Sequence, residues 1–149
     1  VLLHLAALLA PFAASLGFAI LLSPGDSRLM IRQAFLFGGV GAIAAEIAAF
    51  ACWRALDRRA RSGAGAWKVG IGMAALAHLG FGMIAVLALA LAVGWKGSVG
   101  EGGIGALIFQ TIFFVAASTF GVGFVTFPAT AAIAQVVASL RRKELAHGA

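Results

Sequence analysis

From Val69 to Trp95 the chain carries no charged residue, and the one ionisable group in that stretch is His78. A water-facing helix needs a polar face, and this run has none. At about 1.5 Å per residue it is long enough to cross roughly 30 Å of hydrocarbon. Three further apolar runs flank it: Val1 to Leu22, Gln33 to Trp53, and Ile104 to Leu140. In lipid each backbone polar group must be bonded inside the protein, so such runs fold as helices. The expectation is an all-α, polytopic membrane protein with four transmembrane helices in one bundle. Its single integral domain has helices over about residues 1–22, 33–53, 69–95 and 104–126, with a kinked or interfacial continuation over 128–140.

The composition closes off other classes. Of 149 residues, 62% are hydrophobic and 11% are charged, against about 25% charged in a soluble domain. Four spans of about 20 residues with short loops leave no room for a soluble catalytic domain, so a non-enzymatic role is expected. A lone cysteine, Cys52, excludes an internal disulfide and a cysteine-rich metal site. No tyrosine is present to act as acid, base or radical. No nucleophile-elbow serine occurs. Gly100-Glu101-Gly102-Gly103-Ile104-Gly105 fits G-x-G-x-x-G, but that pattern cradles pyrophosphate only between a strand and a helix. Here it joins two apolar runs and reads as a flexible turn.

The net charge of +6 is not a nucleic-acid signature, because the basic residues sit in short segments beside apolar runs. Arg54, Arg58, Arg59, Arg61 and Lys68 follow the second run, and Arg141, Arg142 and Lys143 follow the fourth: eight of the 11 basic residues. Positive residues favour the cytoplasmic side, which predicts both termini cytoplasmic in an inner-type membrane. Trp53 and Trp67 bracket the basic loop and Trp95 ends the third run, all at headgroup level in this topology.

Local signals set the breaks. The first run has no preceding basic region and no small-residue cleavage pattern after it, so it reads as a span rather than a cleaved leader. Pro11 predicts a kink. Ser23-Pro24-Gly25-Asp26 is a turn signal. Ser62, Gly63 and Gly65 make the second half of the basic loop flexible. At Phe127-Pro128 the fourth helix either kinks and continues or ends near Thr126, with a surface helix after it.

The topology then places polar groups at comparable depth. His4 lies about 27 Å, His78 about 25 Å and Glu46 about 20 Å from the outer ends of their helices. Thr119 reaches a similar level on helix four. His78 shares a face with Ala74, Ala75, Gly82 and Ala85, and Glu46 shares one with Gly39, Ala42 and Ala49. On helix four, Gln110, Ala117 and Gly121 align against a stripe of Phe109, Phe113, Phe120, Phe124 and Phe127. Small faces pack closely in lipid, so the phenylalanines should meet lipid or a partner. An intramembrane polar cluster of Glu46, His78, Ser118 and Thr119 is expected, since a buried ionisable group needs a partner.

Three roles suit such a cluster. It can lock helix register in an accessory or anchoring subunit that meets another membrane protein or a second copy through its small faces or the phenylalanine stripe. It can bind and release a proton in a small proton-coupled transporter, with Glu46 and His78 as the working pair. Or His4 and His78 can supply two axial ligands to a haem b. A metal held by His4, Glu46 and His78 would come from three helices with no local ligand motif. His147 lies on the polar tail and reads as solvated.

Overall fold

The computed structural model describes residues 2–22 and 27–147. It is an all-α bundle built from α1 (Leu2–Leu22), α2 (Ser27–Ser62), α3 (Trp67–Val93), a short α4 (Trp95–Val99) and α5 (Gly103–His147), with a 3₁₀ turn over Gly100–Gly102. Among the described residues there is no strand. Three helical stretches are long and apolar enough to cross a membrane, Ile31–Ser62, Trp67–Val93 and Gly103–His147, and α1 adds a shorter apolar stretch over Leu2–Gly17. The protein is therefore an all-α membrane bundle. The turn expected at Ser23 to Asp26 lies outside the described residues.

Several boundaries move from the sequence expectation. α2 does not stop at Trp53 but continues to Ser62. Arginine and alanine favour helix, and Arg61 bonds Asp57 at 2.8 Å across one turn, so the basic segment is helical and the loop shrinks to residues 63–66. α3 stops at Gly94, whose φ of 78° suits glycine. The glycine-rich connection after it folds into α4 and the 3₁₀ turn rather than a plain loop. α5 runs unbroken through Pro128 for 45 residues, about 68 Å at the usual rise, so its polar end projects beyond the apolar zone. Proline removes one backbone bond, and packed neighbours let a membrane helix absorb that loss. α1 likewise continues through Pro11.

The helices pack as two antiparallel hairpins, α1 with α2 and α3 with α5, joined side by side through α2 and α3. At the basic end all four long helices share a core of Leu3, Ala48, Ala49, Leu56, Ala60, Ala66, Met73, Ala134, Val137 and Ala138. Alanine dominates it, so cohesion comes from close backbone approach more than from large side chains. Arg141 reaches Asp57 at 3.3 Å and ties the ends of α5 and α2 together. The Gln135 side chain accepts a 2.8 Å bond from the Ala66 amide at the start of α3.

Two glycines set the α3–α5 distance. A Cβ on Gly70 would lie 2.5 Å from the Thr130 carbonyl oxygen and 2.6 Å from the Ala131 Cα. One on Gly82 would lie 2.9 Å from the Thr111 carbonyl oxygen and would strike the Val115 side chain. Gly72, by contrast, faces open space. Gly82→Leu is expected to lower stability by about 1–3 kcal/mol, and Gly72→Ala to cause no loss. Thermal unfolding of both variants in mild detergent checks the contrast.

Candidate functional site

The α1–α2 hairpin keeps one register from the Ser15–Ala34 level to the His4–Glu46 level. The Pro11 ring sits where a Cβ on Gly41 would be, at 2.9 Å, and the Phe12 ring occupies the space over Gly38. The Ser15 hydroxyl donates to the Ala34 carbonyl at 2.9 Å. In the first turn of α1 the same register brings His4 onto Glu46, with Nδ1 2.6 Å from Oε2. Glu46 Oε1 is buried and has no hydrogen-bond partner among the described residues. The carboxylate is therefore half satisfied, in a zone where an unmet polar atom is costly.

His78 is buried, at 8% exposure, on the face of α3 that meets α5. Ala74, Gly82 and Ala85 of its expected face are buried with it, whereas Ala75 is exposed. Both ring nitrogens are used. Nδ1 lies 3.1 Å from the Ser118 hydroxyl and Nε2 2.8 Å from the Thr126 hydroxyl. Ser118 donates to the Val115 carbonyl at 3.0 Å, so its oxygen is free to accept from Nδ1–H. Thr126 has only a long 3.4 Å alternative at the Gly123 carbonyl, so its hydroxyl donates to Nε2. This pattern suits an imidazole that donates from Nδ1 and accepts at Nε2.

Phe127 closes the site, stacked on the imidazole at 5.5 Å between centroids and 23° between planes. Its ring passes over Gly123, where a Cβ would lie 3.2 Å from Cε2. Phe127 therefore leaves the stripe to which its helical position assigned it. Phe109, Phe113, Phe120 and Phe124 stay exposed.

The expected cluster is not assembled as one unit. Glu46 faces α1 and meets His4, while His78 faces α5 and meets Ser118. Ser118 takes its expected place beside His78. Thr119 is half-buried beside Gly123, and the ring nitrogens go to Ser118 and Thr126 instead. The packed face of α5 is also turned from the expected one. Ala117 is exposed, and the residues turned to α3 are Thr111, Val115, Ser118 and Thr126. Sequence reasoning missed Thr126, whose signal was a hydroxyl two turns from Ser118 on one helical face.

The donor set does not fit a haem between His4 and His78. His4 turns to Glu46 of α2 and His78 to Ser118 and Thr126 of α5, and axial ligation would take a His78 nitrogen from a hydroxyl that now holds it. Nor do His4, Glu46 and His78 form a metal site: among the described residues no three His, Cys, Asp or Glu side chains gather. At the opposite end, the Gln110 amide donates to the Ser98 carbonyl at 2.6 Å and fastens α4 to α5.

No protein-family model, curated protein or solved structure matches this chain.

The pairing is directly measurable. Double-mutant cycles on unfolding should give a coupling of about 0.5–3 kcal/mol for His4 with Glu46 and for His78 with Thr126. Glu46 with His78 should be additive within about 0.5 kcal/mol.

Proposed function

We propose that this chain is a non-enzymatic, multi-pass component of a cytoplasmic-type membrane, an accessory or anchoring subunit with four spans and both termini on the cytoplasmic side. The observation that carries this reading is that the ionisable side chains of the apolar zone are spent on neighbouring helices. His4 and Glu46 hold α1 to α2, and His78, through Ser118 and Thr126, holds α3 to α5. Interhelical bonds of this kind fix register, and each contributes on the order of 0.6 kcal/mol in a membrane protein. The concentration of basic residues at one end supports the orientation. The small face of α3 is buried against α5. The exposed stripe of Phe109, Phe113, Phe120 and Phe124 offers a surface to a partner or a second copy.

Proton-coupled transport is the second reading, and one observation favours it. Glu46 Oε1 is buried and has no hydrogen-bond partner among the described residues, which leaves an intramembrane carboxyl oxygen uncommitted to the fold. The working acid–imidazole pair of that reading becomes Glu46 with His4 rather than with His78.

Glu46→Gln separates the two. In proteoliposomes loaded with a pH-sensitive dye, the accessory role predicts no gradient-driven proton flux above protein-free vesicles, for the native chain and the variant alike. It also predicts a lower unfolding temperature for the variant. A proton flux in the native protein that Glu46→Gln abolishes, with the variant still folded, would falsify the accessory reading and establish transport.

A further inference from the structure

One face of α2 is exposed from the hydrocarbon zone to the basic end. Leu36, Ile43, Ile47 and Phe50 lie on it in turn, followed by Arg54 and Arg58. Their spacing of three, four or seven residues keeps all six on one helical stripe. None of them packs into the bundle, whose buried α2 residues lie on other faces. The stripe therefore faces the acyl chains and ends at two guanidinium groups just past Trp53.

Three cations of the same end are held within the protein. Arg61 is held by Asp57, Arg141 by Asp57 and Glu144, and the Lys68 ammonium lies 5.4 Å over the Trp67 ring. Among the described residues neither Arg54 nor Arg58 meets a carboxylate. They stand one turn apart, with Cβ atoms about 5–6 Å from each other. Guanidinium groups bind phosphate oxygens through paired N–H donors, and two on one face can grip a single phosphodiester from both sides.

We propose that this stripe binds an anionic phospholipid of the leaflet at the basic end of the bundle. The phosphodiester sits between Arg54 and Arg58, and one acyl chain descends along Phe50, Ile47 and Ile43. Charge complementarity selects the occupant. Two cations with no protein counter-charge favour a headgroup of net negative charge over a zwitterionic one, whose own ammonium competes for the phosphate. Arg59 provides a natural contrast. It is exposed too, but the residues below it on α2 are Ala55, Cys52 and the buried Ala48, which offer no large exposed side chain for an acyl chain to follow.

The test is native mass spectrometry of the full chain released from micelles containing equal amounts of phosphatidylglycerol and phosphatidylcholine with matched acyl chains. The native protein should retain phosphatidylglycerol preferentially. The preference should fall about fivefold for each arginine removed in Arg54→Ala with Arg58→Ala, and should persist in Arg59→Ala with Arg142→Ala, which removes the same charge elsewhere. Should the first pair fail to fold by circular dichroism, Arg54→Gln with Arg58→Gln keeps the side-chain stems and should show the same loss. Equal retention of the two lipids by the native chain overturns the proposal. So does an equal loss in the Arg59 and Arg142 pair, which would leave only a diffuse attraction between a basic surface and anionic lipid.

Discussion

An imidazole in hydrocarbon must find partners for both of its nitrogens within the protein. His78 finds them on α5, and much of the bundle's geometry follows from that need. Ser118 and Thr126 come within hydrogen-bond reach only because α3 and α5 approach closely. The approach depends on Gly70, two turns before His78, and Gly82, one turn after it. Larger residues at either position would push the axes apart and strand the ring. α5 must also remain helical through Pro128 for Thr130 and Ala131 to meet Gly70. Closeness of backbones and satisfaction of the histidine are thus one structural fact.

The α1–α2 hairpin solves the same problem with different residues. Pro11 and Phe12 fill the places of missing side chains at Gly41 and Gly38, and the Ser15 hydroxyl crosses to a backbone carbonyl. His4 and Glu46 join the helices nearer the basic end. Each hairpin is therefore held by small-residue contacts along its length and by one polar link involving histidine. The two meet through α2 and α3, and at the basic end through a largely alanine core that α5 completes. Asp57 then draws Arg61 and Arg141 together where the helices leave the apolar zone.

Much of this was legible in the sequence. The apolar runs gave the helical class, and the spacing of Ala74, Gly82 and Ala85 around His78 gave the packed face of α3. The partner of Glu46 was not recovered, because depth alone matches it to both histidines and the order of helices around a bundle is not written in any one helix. A consecutive hairpin would have favoured His4, since sequential helices joined by a short turn are usually neighbours. The face of α5 was misread for another reason. Small residues lie all around that helix between Gly105 and Gly123, so smallness cannot choose a side. Its hydroxyls can: Thr111, Ser118 and Thr126 fall on one stripe, and a hydroxyl in lipid turns inward more reliably than a glycine does. The end of α2 is not marked by the onset of charge, because arginine and alanine are good helix formers and carry the helix on to Ser62.

The separation of the two histidines gives their sites different standing. At His78 each ring nitrogen has a hydroxyl, the Ser118 hydroxyl is spent on a carbonyl, and Phe127 covers the ring. Such a site holds α3 on α5 through both of its nitrogens. At Glu46 one carboxyl oxygen is bonded and the other is buried without a partner. Between the two histidine sites, the polar atom left without a partner among the described residues therefore lies in the α1–α2 hairpin, at Glu46, and not at the fully bonded imidazole of α3.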